Sequence, residues 1–127
     1  MYTVGIRGNL TASHSLLGVE PEEAEPHEHT YRIEWRCRAK SLDERGFAVD
    51  IAFMESALTE LLRSLEKSYL NDLEFFARRP VSVENLALYL HGRLENRLQQ
   101  TNAAGDRTLL SEICVWESES AWAAYRP

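Results

Sequence analysis

The chain opens on an alternation of apolar and polar positions. Tyr2, Val4, Ile6, Leu10 and Ala12 share one parity, and Thr3, Arg7, Asn9 and Thr11 share the other. A period of two belongs to a strand with one buried face, so a strand is predicted from Tyr2 to about Ala12. His14 continues the apolar parity and points to the buried side if the strand reaches that far. The second alternation is the clearest in the chain. Tyr31, Ile33, Trp35, Cys37 and Ala39 lie on one face, with Arg32, Glu34, Arg36, Arg38 and Lys40 on the other. That is an antiparallel-type strand with one wet face. His27 and His29 fall in its apolar parity.

Between these strands, residues 15–26 form a loop punctuated by Gly18, Pro21 and Pro26 and made acidic by Glu20, Glu22, Glu23 and Glu25. After a turn region containing Gly46, Asp50 reads as a helix N-cap. Ile51, Met54, Ala57, Leu58, Leu61, Leu62 and Leu65 then recur at helical spacing, predicting a helix from about 51 to 67. Residues 69–80 connect it to a second helix, capped by Ser82 and running from about 83 to 99 through Leu86, Tyr89, Leu90, Leu94 and Leu98. A third strand follows. Leu109, Ser111, Ile113, Val115 and Glu117 lie on one face, with Cys114 and Trp116 on the other, and a short fourth strand covers about 121 to 125. The order ββααββ predicts an α+β fold: an antiparallel sheet with both helices on one face. Its two free edges invite pairing between copies.

The 127 residues argue for a single domain spanning 1–127. A net charge of −6 without a basic stripe makes nucleic acid and anionic membranes poor partners. No apolar run reaches membrane-spanning length and no signal peptide is evident, so a cytoplasmic protein is expected. Cys37 and Cys114 lie in strand-like runs and read as buried small hydrophobes.

The chemistry concentrates in the histidines. Residues two apart in a strand point the same way about 6–7 Å apart, so His27 and His29 can converge on one cation. A hairpin brings the end of strand one beside the start of strand two, which adds His14. Three neutral imidazoles and a water make a catalytic zinc site rather than a closed structural one. His91, in the second helix beside Leu90, reads as a surface or core histidine.

Taken in order, TASHSL, PHEHTYRIEW, GFAVDIAFMESAL, SYLND, VSVENLALYL and CVWESESAWAAYR resemble the 6-pyruvoyl-tetrahydropterin synthase family, which includes the bacterial 6-carboxytetrahydropterin synthases. The resemblance covers nearly the whole chain. It implies the tunnelling fold (T-fold), a homo-oligomeric barrel of three or six chains, and active sites between subunits. It implies zinc on His14, His27 and His29, a pterin ring anchored by Glu117, and a substrate-binding segment at Ser82, Val83, Glu84 and Asn85. The expected function is a zinc-dependent lyase acting on a 7,8-dihydroneopterin-type substrate. The alternative is a zinc-containing pterin- or purine-binding protein without lyase activity.

Four positions depart from the family pattern. Glu23 stands where the 6-carboxytetrahydropterin synthases, the family's queuosine-pathway members, carry a catalytic cysteine, Glu66 and Lys67 replace an Asp-His pair, and Glu28 replaces the small residue, usually glycine, between the zinc histidines. Cys37 cannot stand in for the missing thiol, because eight strand residues separate it from His29, roughly 26 Å at about 3.3 Å each. A carboxylate can transfer protons beside a metal if its pKa lies near the working pH. One branch of the family replaces the cysteine with a glutamate and cleaves the side chain of dihydroneopterin for folate synthesis; that glutamate falls at the position of Ala24 here, flanked by Glu23 and Glu25. Glu23 is therefore the first choice for the base and Glu25 the second. Lys67 is a further candidate, as a phosphate-orienting group or proton relay, with Glu66 beside it.

Overall fold

A computed structural model of the chain describes residues 1–16, 24–101, 103, 105 and 107–127. Strands β1 (Tyr2–His14) and β2 (His27–Ala39) pair antiparallel along their whole length, from Tyr2 opposite Ala39 to His14 opposite His27. Helix α1 (Ile51–Leu65) and helix α2 (Val83–Thr101) come next, joined by a connector with short 3-10 turns at Leu70–Asp72 and Glu74–Phe76. Strands β3 (Leu110–Trp116) and β4 (Trp122–Tyr125) complete a sheet of order β1-β2-β3-β4. The expected ββααββ order and antiparallel sheet are thus present.

The differences from the sequence reading lie at element ends. β1 runs two residues past Ala12, because its register with β2 continues to His14. β3 stops at Trp116, leaving Glu117 one residue outside it, where its amide donates to the carbonyl of Ala121. α1 ends at Leu65, before a left-handed Lys67 (φ 62°) that a helix cannot contain.

Both N-caps form as expected. The Asp50 carboxylate accepts from the amide of Ala52, and the Ser82 hydroxyl accepts from the amide of Asn85. α1 packs on β1, and α2 on β3 and β4. The core lies between sheet and helices, with Leu10, Tyr31, Ile33, Trp35, Met54, Leu86, Leu90, Leu94 and Ile113 fully buried. Gly8 faces α1, and a Cβ there would lie 2.8 Å from a methyl of Leu62. The bare backbone lets the helix sit close to the sheet. Burying these apolar faces is the main favourable term in such a fold. Among the described residues, no helix is long and apolar enough to cross a membrane.

Candidate metal centre

The site grows out of the full length of the first hairpin. Because β1 reaches His14 and β2 begins at His27, the two histidines are cross-strand neighbours. His29, two residues along β2, projects from the same face. His14 is buried and the other two are half-buried. Their ring centroids stand 4.6 Å (His14–His27), 5.2 Å (His14–His29) and 4.7 Å (His27–His29) apart. One ligand nitrogen from each lies within 4.8 Å of the other two. This is the only such group of three metal-ligating side chains among the described residues.

Hydrogen bonds fix how two of the rings present themselves. Nδ1 of His14 lies 3.0 Å from the carbonyl of Val81, and Nδ1 of His27 lies 2.9 Å from the carbonyl of Glu25. A carbonyl only accepts, so each Nδ1 carries the proton and each neutral ring keeps its lone pair on Nε2. Those two Nε2 atoms face each other at 3.0 Å. Two lone pairs at that distance repel unless a positive charge sits with them, either a proton on one ring or a cation between the rings. Two nitrogens on one tetrahedral zinc, each at about 2.0–2.1 Å, are separated by about 3.3 Å. The donor set and its backbone acceptors fit a zinc ion, since ligating imidazoles characteristically donate their other N–H to a carbonyl or carboxylate.

Two further groups border the triad. Oε1 of Glu117 lies 3.6 Å from Nε2 of His29. The hydroxyl of Tyr31 lies 3.3 Å from Nδ1 of His14. Burial, and secondarily the charge of Glu117, push the Tyr31 phenol well above its ordinary value, so it stays protonated. From the sequence alone Tyr31 reads only as a core residue. Its inward parity gave that much, but not its reach to His14.

The other expected site residues are distributed as follows. Glu23 lies outside the described residues. Glu25 has an exposed side chain, and its peptide carbonyl orients His27. Glu66 accepts from the amide of Thr11, and the amide of Lys67 donates to the carbonyl of Thr11 at 2.7 Å. Nζ of Lys67 lies 3.3 Å from both carboxylate oxygens of Glu28. Glu28 alternates with the two histidines and so projects from the opposite sheet face. Lys67 therefore finds its carboxylate partner on the sheet face opposite the triad. Ser82, Val83 and Glu84 start α2 directly after Val81, the residue whose carbonyl holds His14. His91 is buried against the hydroxyl of Ser111, 3.0 Å away, remote from the triad in the contacts it makes. Both cysteines are free and buried, and burial pushes the Cys37 thiol up to about 12, with the charge of Glu95 adding to it.

A family model described as 6-pyruvoyl tetrahydropterin synthase matches residues 3–127. The chain belongs to that family. A curated 6-pyruvoyl tetrahydrobiopterin synthase of Drosophila melanogaster is 28% identical over 102 residues, an alignment covering 79% of this chain and 57% of the fly protein. The chain thus spans a little over half the length of that relative. Among solved structures, 6-pyruvoyl tetrahydropterin synthase of Caenorhabditis elegans superposes with a TM-score of 0.79 at 18% identity, covering 99% of this chain and 95% of that one. A variant of the Plasmodium vivax enzyme, in which a catalytic glutamate is replaced by alanine, gives a TM-score of 0.80 at 17% identity over 99% of this chain and 97% of that one. At these identities the superpositions establish a shared fold, and the synthase-family T-fold is the fold of this chain.

Proposed function

We propose that this chain is a zinc-dependent lyase converting a pterin of the 7,8-dihydroneopterin or 7,8-dihydroneopterin triphosphate type. The observation that carries this reading is the convergence of His14, His27 and His29 with the Glu117 carboxylate at their border. Bound at the triad, zinc supplies a Lewis acid for the oxygens of the pterin side chain. The remaining work falls to the chain's own groups. Glu117 accepts two parallel hydrogen bonds from the pterin amino group and ring N–H, a charge-assisted bidentate pairing that fixes the ring. Ser82, Val83 and Glu84, which directly follow the Val81 carbonyl that holds His14, are the groups that would contact the substrate from the start of α2.

Glu23, or Glu25 in its place, acts as the base. Removing a carbon-bound proton leads to elimination of triphosphate, whereas removing a hydroxyl proton leads to carbon–carbon cleavage. Two points support a carboxylate base. The sequence has no thiol in the loop before His27. The Plasmodium vivax relative carries a glutamate described as catalytic. The free edges of β1 and β4 suit a closed homo-oligomer, in which sites form between copies.

The test is to incubate zinc-loaded protein with 7,8-dihydroneopterin triphosphate and with its dephosphorylated form, following products by mass spectrometry. The expected outcome is a new pterin whose mass distinguishes elimination from side-chain cleavage. Glu23→Ala should lower the rate about a hundredfold or more, the usual contribution of a general base. If Glu25→Ala causes that loss instead, the base is Glu25. Tight binding of both pterins without turnover would replace the lyase with a pterin-binding protein.

A further inference from the structure

His14 is the last residue of an edge strand, a place where backbone ordinarily frays. Here it does not stand loose, because the α1–α2 connector grips it from both sides. Before it, the amide of Ser13 donates to the carbonyl of Ser68 at 2.9 Å, and the Ser13 hydroxyl reaches the same carbonyl. After it, the side chain of Asn71 closes a two-bond ring on Ser15. The Ser15 amide donates to Oδ1 of Asn71 at 3.0 Å, and Nδ2 of Asn71 donates to the Ser15 carbonyl at 3.0 Å. The Ser15 and Tyr69 hydroxyls are also hydrogen-bonded. Farther along the connector, the Val81 carbonyl takes the His14 ring proton.

A carboxamide carries both an acceptor and donors, so it can imitate the C=O and N–H of a neighbouring strand. That is how Asn71 is used: it extends the β1 edge by one residue beyond His14 without a strand to pair with. We infer that Asn71 is a positioning residue for the metal centre. It holds the backbone that presents His14, so that the imidazole meets the metal without first being ordered. This rests on the metal reading proposed above. By contrast, Glu25, whose carbonyl orients His27, belongs to the exposed strand approach, and Glu25, Pro26 and Glu28 all have exposed side chains. The ligand held on both sides is therefore His14, and Asn71 supplies the clamp that follows it.

Zinc affinity, read by chelator competition on the full chain, separates positioning from general stability. Asn71→Ala should raise the zinc Kd about tenfold, within the range seen when groups supporting a metal ligand are removed. Asn71→Asp keeps the acceptor for the Ser15 amide but cannot donate to the Ser15 carbonyl, so its Kd should fall between wild type and Asn71→Ala. It also serves as the test if the alanine variant does not fold. Asp43 provides the control. Its carboxylate accepts from the amides of Arg45 and Phe47 in a turn beyond the other end of β2. Asp43→Ala removes a clamp of the same kind and should lower thermal stability while leaving the zinc Kd within about twofold, as expected for distant independent sites. A folded Asn71→Ala or Asn71→Asp protein with wild-type Kd overturns the inference. So does an Asp43→Ala protein that loses zinc as readily as Asn71→Ala. A wild-type chain that takes up no zinc in the same titration overturns the metal reading itself, a different and distinguishable failure.

Discussion

Two imidazoles face each other across the first hairpin. His14 and His27 each commit one nitrogen to a peptide carbonyl, leaving two Nε2 lone pairs 3.0 Å apart. An arrangement of that kind is costly without a cation or an extra proton. Oε1 of Glu117 lies 3.6 Å from Nε2 of His29. If it anchors a pterin, Glu117→Ala should weaken pterin binding by about 10–100-fold, the loss expected for hydrogen bonds to a charged group, and leave zinc binding intact. Calorimetry on the zinc-loaded variant would measure both, and unchanged pterin affinity would remove Glu117 from the ring site. All three histidines were legible in the sequence, because each falls in the apolar parity of its strand. The hydrogen-bond partners were not. Val81 and Glu25 act through backbone carbonyls, and a carbonyl leaves no mark in the residue type. The cysteines were legible too: both sit in buried strand positions, and a thiol raised to about 12 like that of Cys37 is no nucleophile near neutral pH.

At the scale of elements, alternation and helical spacing account for β1 to β4, α1 and α2 among the described residues, and miss mainly their ends. The end of β1 is set by pairing with β2, and the end of α1 by the left-handed Lys67. Neither follows from local periodicity. The connector was the least legible element. Its path along the β1 edge depends on hydrogen bonds between residues 54 to 56 positions apart in sequence. Glu66 illustrates the point: the sequence offers it for proton transfer, and the structure gives it a strand amide to hold. The contact between α1 and β1 can be tested at Gly8. A Cβ there meets Leu62 at 2.8 Å and Leu58 at 3.4 Å. Gly8→Val should therefore destabilise the fold by about 1–3 kcal/mol, the usual cost of overpacking. Urea denaturation would report it as a lower midpoint. A midpoint equal to wild type would mean that the helix does not bear on the sheet there.

For the whole molecule, the sheet order β1-β2-β3-β4 leaves one free edge on β1 and one on the short β4. The connector occupies the β1 edge near Thr11, Ser13 and Ser15, so another chain could pair with that edge only nearer its start. A heterologous contact between unlike edges closes into a ring when the rotation allows. The whole-molecule consequence of the metal centre is then a fixed ratio of metal to chain. Native mass spectrometry measures that ratio and the size of the particle together. The predicted result is a particle of three or six chains carrying one zinc per chain, with no zinc retained in His27→Ala. Wild-type particles without zinc, or a His27→Ala protein with its full complement, would contradict the assignment of His14, His27 and His29 as the metal centre.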